Sequence, residues 1–590
     1  MSTNIIGISC FFHDAACCLL KDGVLVAAVE EERFSRNKHD AGIPKLAFNY
    51  CLEEGGLTID QIDCVVYYEE PAKKLARQIW MKLPGLPSEK KVLARLDPRR
   101  PEREIRQVLG YDGRIEYVGH HEAHAASTFY YSGFKEAAIL TVDGVGEWDT
   151  TSYGRGRGDD LELLETVEFP HSIGLLYSTI TGYLGFEVNE GEYKVMGLAP
   201  YGKPRHVDLI RKLIINQPRG QYLLDLRYFD FTSFKRMYSD EMVSLFGHPP
   251  RQRRTEILDF HKDLARSLQY VLEEILMDKL KYLHELTGME NLCMAGGVAL
   301  NCVANGRIKR EGPFKRMFVQ PAAGDSGGAL GAAAIGHKRL KNGKAESLSV
   351  FRDAYLGPAF SSEEVALFLD STGVKAQDFR GQEGELVEAV AQRLAAGKIV
   401  GWFHGRMEFG PRALGGRSIL ADPRGDTTQD RINSIIKQRE SFRPFAPAVL
   451  EERAADHFDL DHPSRYMLET CQVKSPIKLP AITHVDGSAR VQTVDGDTNP
   501  RFARLLRAFE RITGCPILLN TSFNLNYEPI VCTPSDAFVC FVRSGLDVLV
   551  LEDYLIDRSA LSVTSEVLLR SGTHAWQTPD AITFETYTLF

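Results

Sequence analysis

Apolar and polar positions follow a strand-like pattern at the start of the chain. Short β-favouring runs cover residues 5–9, 15–20 and 24–30, and Lys21-Asp22-Gly23 between the last two predicts a hairpin turn. A further apolar strand is predicted at 138–142, ending in Asp143-Gly144-Val145-Gly146. Another at 291–294 ends in Ala295-Gly296-Gly297-Val298-Ala299-Leu300-Asn301 and runs into a helix. Between them the period changes to that of a long amphipathic helix, with Leu264, Leu268, Val271, Leu272, Ile275, Leu276, Leu280 and Leu283 on one stripe. Composition shifts after Lys344. The pattern places a boundary near Leu356-Gly357-Pro358, giving domains 1–356 and 357–590. Beyond it come helices over 362–369 and 385–396, then a strand over 398–403 that opens a region dense in arginine and glycine. No internal repeat or low-complexity tract is evident.

Length agrees with this division, since 590 residues exceed what one hydrophobic core supports. The formal net charge of −9 gives no electrostatic reason to expect nucleic acid. The basic stretch 99–106 is interrupted by Glu102 and Glu104 and reads as a solvated face. No apolar run reaches 18 residues, so no membrane span is expected, and the N-terminus lacks the pattern of a secretory signal. The 11 cysteines include no Cys-x-x-Cys pair, as expected of buried thiols in a reducing compartment. A soluble cytoplasmic protein is the expectation. The order of the turns, a meander, then an Asp-Gly turn, then a Gly-Gly loop, is similar to that of actin-like ATPases, in which glycine lets the backbone approach a nucleotide.

Two motifs carry the chemistry. In His120-His121-Glu122-Ala123-His124 a helix would place His120 and His124 on one face, with Cβ atoms about 5–6 Å apart. Two ring nitrogens can then meet at one ion, although the string is not the His-Glu-x-x-His of zincins. Asp143 and Asp325, each in a glycine-rich turn, are candidates to complete the site; Asp325 has an alternative role as N-cap of a helix beginning near Ser326. A His₂Asp₂ set suits iron(II), manganese or zinc, and ligand type does not choose among them.

The second motif is the cluster Arg406, Arg412, Arg417 within 405–418, followed by Lys437, Arg439 and Arg443. Glycine and proline exclude one long helix, so the arginines are expected on turns, where guanidinium forks suit phosphate. The strings 484–494, with His484 and Arg490, and 519–524, with Asn520 and Ser522, add polar groups able to hold an acyl phosphate or nucleotide.

These residues also carry a family resemblance over nearly the whole chain. Besides the motifs above, it rests on His13-Asp14-Ala15-Ala16, Glu30-Glu31-Glu32-Arg33-Phe34-Ser35-Arg36, the string 192–202, Gly296–Asn301 and Glu528-Pro529-Ile530-Val531. The chain resembles the bacterial O-carbamoyltransferases of nodulation-factor, cephamycin and tobramycin biosynthesis. One departure is Tyr527, where the family pattern has glycine.

The resemblance implies an α/β protein with an actin-like (ASKHA) N-terminal domain and an α+β YrdC-like C-terminal domain. The C-terminal domain would turn carbamoyl phosphate and ATP, with Mg(II), into carbamoyl adenylate and pyrophosphate, using Arg412, Arg417, Lys437, Arg443, His484, Arg490, Asn520 and Ser522. The N-terminal domain would pass the carbamoyl group to a hydroxyl of a small-molecule acceptor. There His120, His124, Asp143 and Asp325 would hold the metal. Gly144, Gly146, Lys194, Gly296, Gly297 and Asn301 would hold the adenylate. Catalytic roles fall to His13, Asp14 and Lys194, with His13 as candidate base or, equally, a structural hydrogen bonder. The competing readings are an actin-like kinase, a tRNA-modifying carbamoyl-type transferase and a non-catalytic nucleotide-binding module.

Overall fold

The N-terminal apolar runs pair as a meander because Asp22 and Gly23 adopt φ of 51° and 81°, the left-handed pair that a two-residue hairpin turn requires. A computed structural model describes residues 2–81, 97–231, 236–341, 348–437 and 439–561. Strands β1 (Asn4–Ser9), β2 (Ala16–Lys21) and β3 (Val24–Glu30) are successively antiparallel. Then β4 (Cys64–Tyr67) and β5 (Ile115–Tyr117) add in parallel on the other side of β1, in the order β3-β2-β1-β4-β5.

A second sheet repeats the plan. Strands β6 (Glu136–Val142), β7 (Asp149–Arg157) and β8 (Asp160–Glu168) form an antiparallel meander. After a small hairpin, β9 (Ile214–Asn216) and β10 (Tyr222–Leu224), strands β11 (Asn291–Ala295) and β12 (Arg316–Val319) add in parallel beside β6. The order, β8-β7-β6-β11-β12, is that of the first sheet. This corrects the expectation of no internal repeat. The repeat lies in backbone pairing, which many side-chain sequences satisfy, so it leaves no trace as residue identity. The duplicated topology is the actin-like (ASKHA) architecture.

The predicted amphipathic helix spans Asp259–Thr287 and buries Leu264, Leu268, Val271, Leu272, Leu276, Leu280 and Leu283. It ends at Gly288, in left-handed conformation at φ 64°. The basic stretch near residue 100 forms the helix Arg100–Gln107, where Arg100–Glu104 at 2.6 Å and Arg106–Glu102 at 3.2 Å pair along the surface.

The chain divides into two compact units, the first reaching Phe351 and the second beginning at Arg352, with Arg36–Lys38 grouped with the second. The second unit is built on an eight-stranded mixed sheet. In spatial order its strands are Gln377–Asp378, Tyr554–Asp557, Val548–Leu551, Val400–Phe403, Arg417–Ala421, Ile517–Ser522, Ala446–Leu450 and Gln492–Val494. Helices Glu383–Ala395 and Pro500–Thr513 pack on each other, and their apolar faces join Trp402, Phe403 and Leu518 in one core. All 11 cysteines are buried free thiols. Among the described residues no helix is long and apolar enough to cross a membrane.

Candidate active site

The histidine motif forms the first turn of a helix, His120–Phe129, that is buried along almost its whole length. The Nε2 atoms of His120 and His124 lie 3.1 Å apart. Asp143 Oδ2 is 3.0 Å from the first and 3.6 Å from the second, and Asp325 Oδ1 is 3.7 Å from both. A tetrahedral ion with ligand distances of about 2.0–2.1 Å needs ligand atoms about 3.3–3.4 Å apart. The four atoms therefore bracket a volume of the right size. Asp325 Oδ1 is buried and accepts no hydrogen bond among the described residues, an unfavourable state for a carboxylate unless a cation compensates it. The set fits a divalent metal.

Without such a charge the carboxylates act on the imidazoles instead. Burial pushes the His120 imidazolium down, but Asp325 and Asp143 outweigh it and raise His120 to about 9. Burial raises Asp143, yet hydrogen bonds from His120 and His124 hold it well below the usual carboxylate range. His121 faces elsewhere, its Nδ1 2.7 Å from Thr141 Oγ1, and burial beside two histidines lowers it well below the ordinary value.

Small residues deliver Asp325 to the histidines. It begins the helix Asp325–Leu340, whose sequence Asp-Ser-Gly-Gly-Ala-Leu-Gly-Ala-Ala-Ala-Ile-Gly packs against β1 and the histidine helix. A Cβ on Gly331 would sit 1.7 Å from Ala123 O, so only glycine permits that approach. The N-cap alternative for Asp325 is not realised: Gly324 is the N-cap, and Asp325 is the first helical residue and makes no capping bond. Its second oxygen accepts a 3.4 Å hydrogen bond from Tyr68.

The glycine loops also hold groups of the chain itself. Gly297 donates its N–H to Asp143 Oδ1 at 2.9 Å and so orients a candidate metal ligand. Gly296, at φ 92°, turns the chain there, and a Cβ would meet Val142 O at 2.3 Å. Gly144 O accepts from Ser172 Oγ, and the Gly146 N–H closes the turn on Asp149 O. Asn301 caps the helix Cys302–Glu311 through Ala304 N and pairs with Gln269. Lys194 is buried in the helix Glu192–Leu198.

His13 Nδ1 lies 2.8 Å from Asp14 Oδ2. Burial lowers the His13 imidazolium, but Asp14 and then Asp325 outweigh it and lift it to about 9. Asp14, despite the cost of burial, is held well below the usual range by His13 and His39.

In the second unit Lys437 is buried and donates to Ser522 O, Ser522 Oγ at 3.2 Å, Asn524 O at 3.0 Å and Asn524 Oδ1 at 2.6 Å. Burial, with Arg439 and Arg443 nearby, pushes its ammonium well below the usual lysine range. Asn520 donates to Gln492 Oε1 at 2.7 Å and to Ala413 O, while Gln492 donates to Leu414 O. This pair thereby ties two strands to the arginine loop. Arg443 pairs with Glu440 at 3.6 Å, and Arg412 is half-buried in the loop. His484 turns the chain onto Ser488, and Arg490 makes no ion pair among the described residues.

Arg417 departs from the expectation of arginines on turns. It lies on a central strand, fully buried, with its guanidinium 3.6 Å from the Phe403 ring centroid and donating to the carbonyls of His404, Gly405, Gly416 and Pro358. Tyr527, where the family pattern has glycine, adopts φ 63°, a conformation glycine takes without strain.

Two buried carboxylates escaped the reading of the sequence. Glu147 accepts the His120 N–H at 3.0 Å and the Glu70 N–H at 2.7 Å, fixing the start of the histidine helix. Glu408 accepts the N–H groups of Leu414 and Gly416 through Oε1 at 2.6 and 2.7 Å. For Glu147 a signal existed, an acid in the same turn as Asp143; Glu408 sat unremarked among the arginines.

Comparison with known proteins shows the family. Residues 4–93 and 106–334 match the family described as Carbamoyltransferase N-terminus, and residues 391–558 match Carbamoyltransferase C-terminus. The protein sll1178 of Synechocystis sp. (strain ATCC 27184 / PCC 6803 / Kazusa) is 46% identical, over 95% of this chain and 97% of its own. Nodulation protein NolNO of Sinorhizobium fredii (strain NBRC 101917 / NGR234) is 41% identical, over 94% of this chain and 80% of its own. Among solved structures, T. kodakarensis HypF matches 59% of this chain and 49% of its own at 15% identity with a TM-score of 0.30, too remote to bear on either site. The chain belongs to the carbamoyltransferase family and is an enzyme that transfers carbamoyl groups.

Proposed function

We propose that this enzyme is an ATP-dependent O-carbamoyltransferase that moves the carbamoyl group of carbamoyl phosphate, through carbamoyl adenylate, onto a hydroxyl of a small molecule. The observation that carries the reading is the buried set His120, His124, Asp143 and Asp325, with one carboxylate oxygen that accepts no hydrogen bond among the described residues. A plain kinase or a nucleotide-binding module has no use for it, and the acidic balance of the chain disfavours a tRNA substrate.

The second unit, read as YrdC-like, would form the adenylate. Water takes the phosphoryl group of carbamoyl phosphate, and the carbamate left behind attacks the α-phosphate of ATP and expels pyrophosphate. Bringing these anions together with Mg(II) requires cations, which Arg412, Arg443 and Arg490 would supply, with Lys437, whose charged form burial disfavours, as a hydrogen-bond donor. The first unit would then carry out transfer. Iron(II), zinc or manganese in the His₂Asp₂ set would supply a Lewis acid that polarises the carbamoyl oxygen. Lys194 and the glycine loops would bind the adenylate, and His13 would take the proton of the acceptor hydroxyl as its oxygen bonds the carbamoyl carbon and AMP departs.

Incubation with carbamoyl phosphate and ATP tests the scheme. AMP, pyrophosphate and a carbamoyl adduct of an added alcohol, detected by mass spectrometry, are expected; ADP as the product would make the protein a kinase.

The pH profile follows from His13. As a base it must be neutral, so transfer should rise with pH through its pKa and level off. The rise to about 9 owes part of its size to Asp325, and a cation on Asp325 offsets that part. The limb should therefore lie between the ordinary histidine value and about 9, and should vanish in His13→Ala. A transfer rate that declines across this interval would exclude His13 as the base.

A further inference from the structure

His13 does not stand alone on Asp14. The other oxygen of that carboxylate, Oδ1, lies 2.6 Å from His39 Nδ1, and His39 Nε2 lies 2.8 Å from Glu190 Oε1. The four side chains form one continuous file, His13–Asp14–His39–Glu190, assembled from three segments far apart in sequence. The His39 backbone is itself tied down, its N–H donating to Glu32 Oε2 at 2.8 Å.

The backbone is bent to make this file. Phe11, Asp14, His39 and Asn189 all take positive φ, at 73°, 54°, 55° and 68°, a region disfavoured for side-chain-bearing residues. Such conformations persist only where the surroundings enforce them, and they gather at functional sites. Here each of the three converging segments contains at least one.

The file leaves one atom uncommitted. His39 uses both ring nitrogens and Asp14 both oxygens, whereas His13 uses only Nδ1. Its Nε2 makes no hydrogen bond among the described residues, in a ring close enough to the metal set for Asp325 to act on it. A carboxylate on Nδ1 fixes the tautomer that leaves Nε2 as the proton acceptor. A carboxylate anchored on its far side cannot swing away from that task.

We propose that His39 and Glu190 are positioning residues for carbamoyl transfer: they clamp Asp14 so that it holds the His13 ring in one tautomer and direction, with Nε2 toward the acceptor hydroxyl. The proposal rests on the transfer reading above. It adds two residues that never touch the reacting atoms. The Asp14–Glu32–His39 group also has ligand-type atoms close together, but Asp14 Oδ1 and His39 Nδ1 are engaged with each other, and Glu32 with the His39 N–H and Arg33.

The clamp is tested on the full chain in two ways. In ¹⁵N-histidine NMR spectra, with His13 assigned by its loss in His13→Asn, the wild type should show a strongly hydrogen-bonded Nδ1 proton. His39→Ala and Glu190→Ala should weaken or lose it, and His39→Gln, whose amide offers two N–H donors, should retain it. In the rate assay glycerol serves as the hydroxyl probe. His39→Ala should lower its carbamoylation about 10–100-fold with the KM values for ATP and carbamoyl phosphate unchanged, and His39→Gln should restore most of the rate. Thermal unfolding midpoints establish that the variants are folded, and Glu190→Ala substitutes if His39→Ala is not. An unaltered His13 signal in both alanine variants, or glutamine no better than alanine, would overturn the clamp. A wild type that carbamoylates nothing would instead overturn the transfer reading, while the spectra still judge the clamp.

Discussion

Alanine in place of His120 or His124 is expected to strip the bound metal and reduce carbamoyl transfer about a thousandfold or more, while pyrophosphate formation from ATP continues. Each histidine supplies one of four ligand atoms that lie within 4.8 Å of one another. Its loss opens the set and leaves Asp143 and Asp325 facing each other with less compensation. A Lewis acid at the carbamoyl oxygen is worth several kcal/mol of transition-state stabilisation, and each 1.36 kcal/mol is tenfold in rate. Elemental analysis of the purified variants checks the first half of the prediction and separate assays of the two half-reactions the second. Unchanged metal content would refute the ligand assignment, and loss of pyrophosphate formation would refute the division of labour between the two units.

Arg417→Ala should act on stability before chemistry. The guanidinium is fully buried, stacked on Phe403, and satisfies four backbone carbonyls. Removing it takes the guanidinium from the His404 and Gly405 carbonyls, while Gly416 O and Pro358 O keep the N–H groups of His404 and Met407, and opens a cavity beside an aromatic ring, at a cost of about 3–5 kcal/mol. Thermal or urea unfolding should show this as a lower midpoint. Any adenylation defect should scale with the unfolded fraction, and folded protein should keep its KM for carbamoyl phosphate. A stable variant with a raised KM would return Arg417 to the phosphate site. Arg490, which makes no ion pair among the described residues, should behave in the opposite way, with normal stability and weakened substrate binding.

These predictions mark where local reading succeeded and where it stopped. The spacing of His120 and His124 is a property of one helix turn, so two candidate ligands were legible from five residues. The turn at Asp22-Gly23 and the stripe from Leu264 to Leu283 were legible for the same reason, because each depends on neighbours a few positions away. Arg417 looked like Arg412 in the sequence because both sit among glycines. Only the sheet shows that one lies on a central strand and the other in a loop.

The sequence by itself determined which side chains were available and which short segments would be strands, turns or helices, since those follow from steric preference and apolar period over a few residues. It also determined the family, through strings of polar and glycine residues distributed along most of the chain. Tertiary structure alone decided which groups meet. Asp325 reaches histidines some 200 positions away because Gly331 lets two helices touch at Ala123. Gly297 meets Asp143 because the second sheet sets the end of β11 beside the end of β6. Glu190 joins His39 across 151 residues. Such contacts arise from the packing of whole sheets and helices, where closeness in space carries no signature in sequence separation.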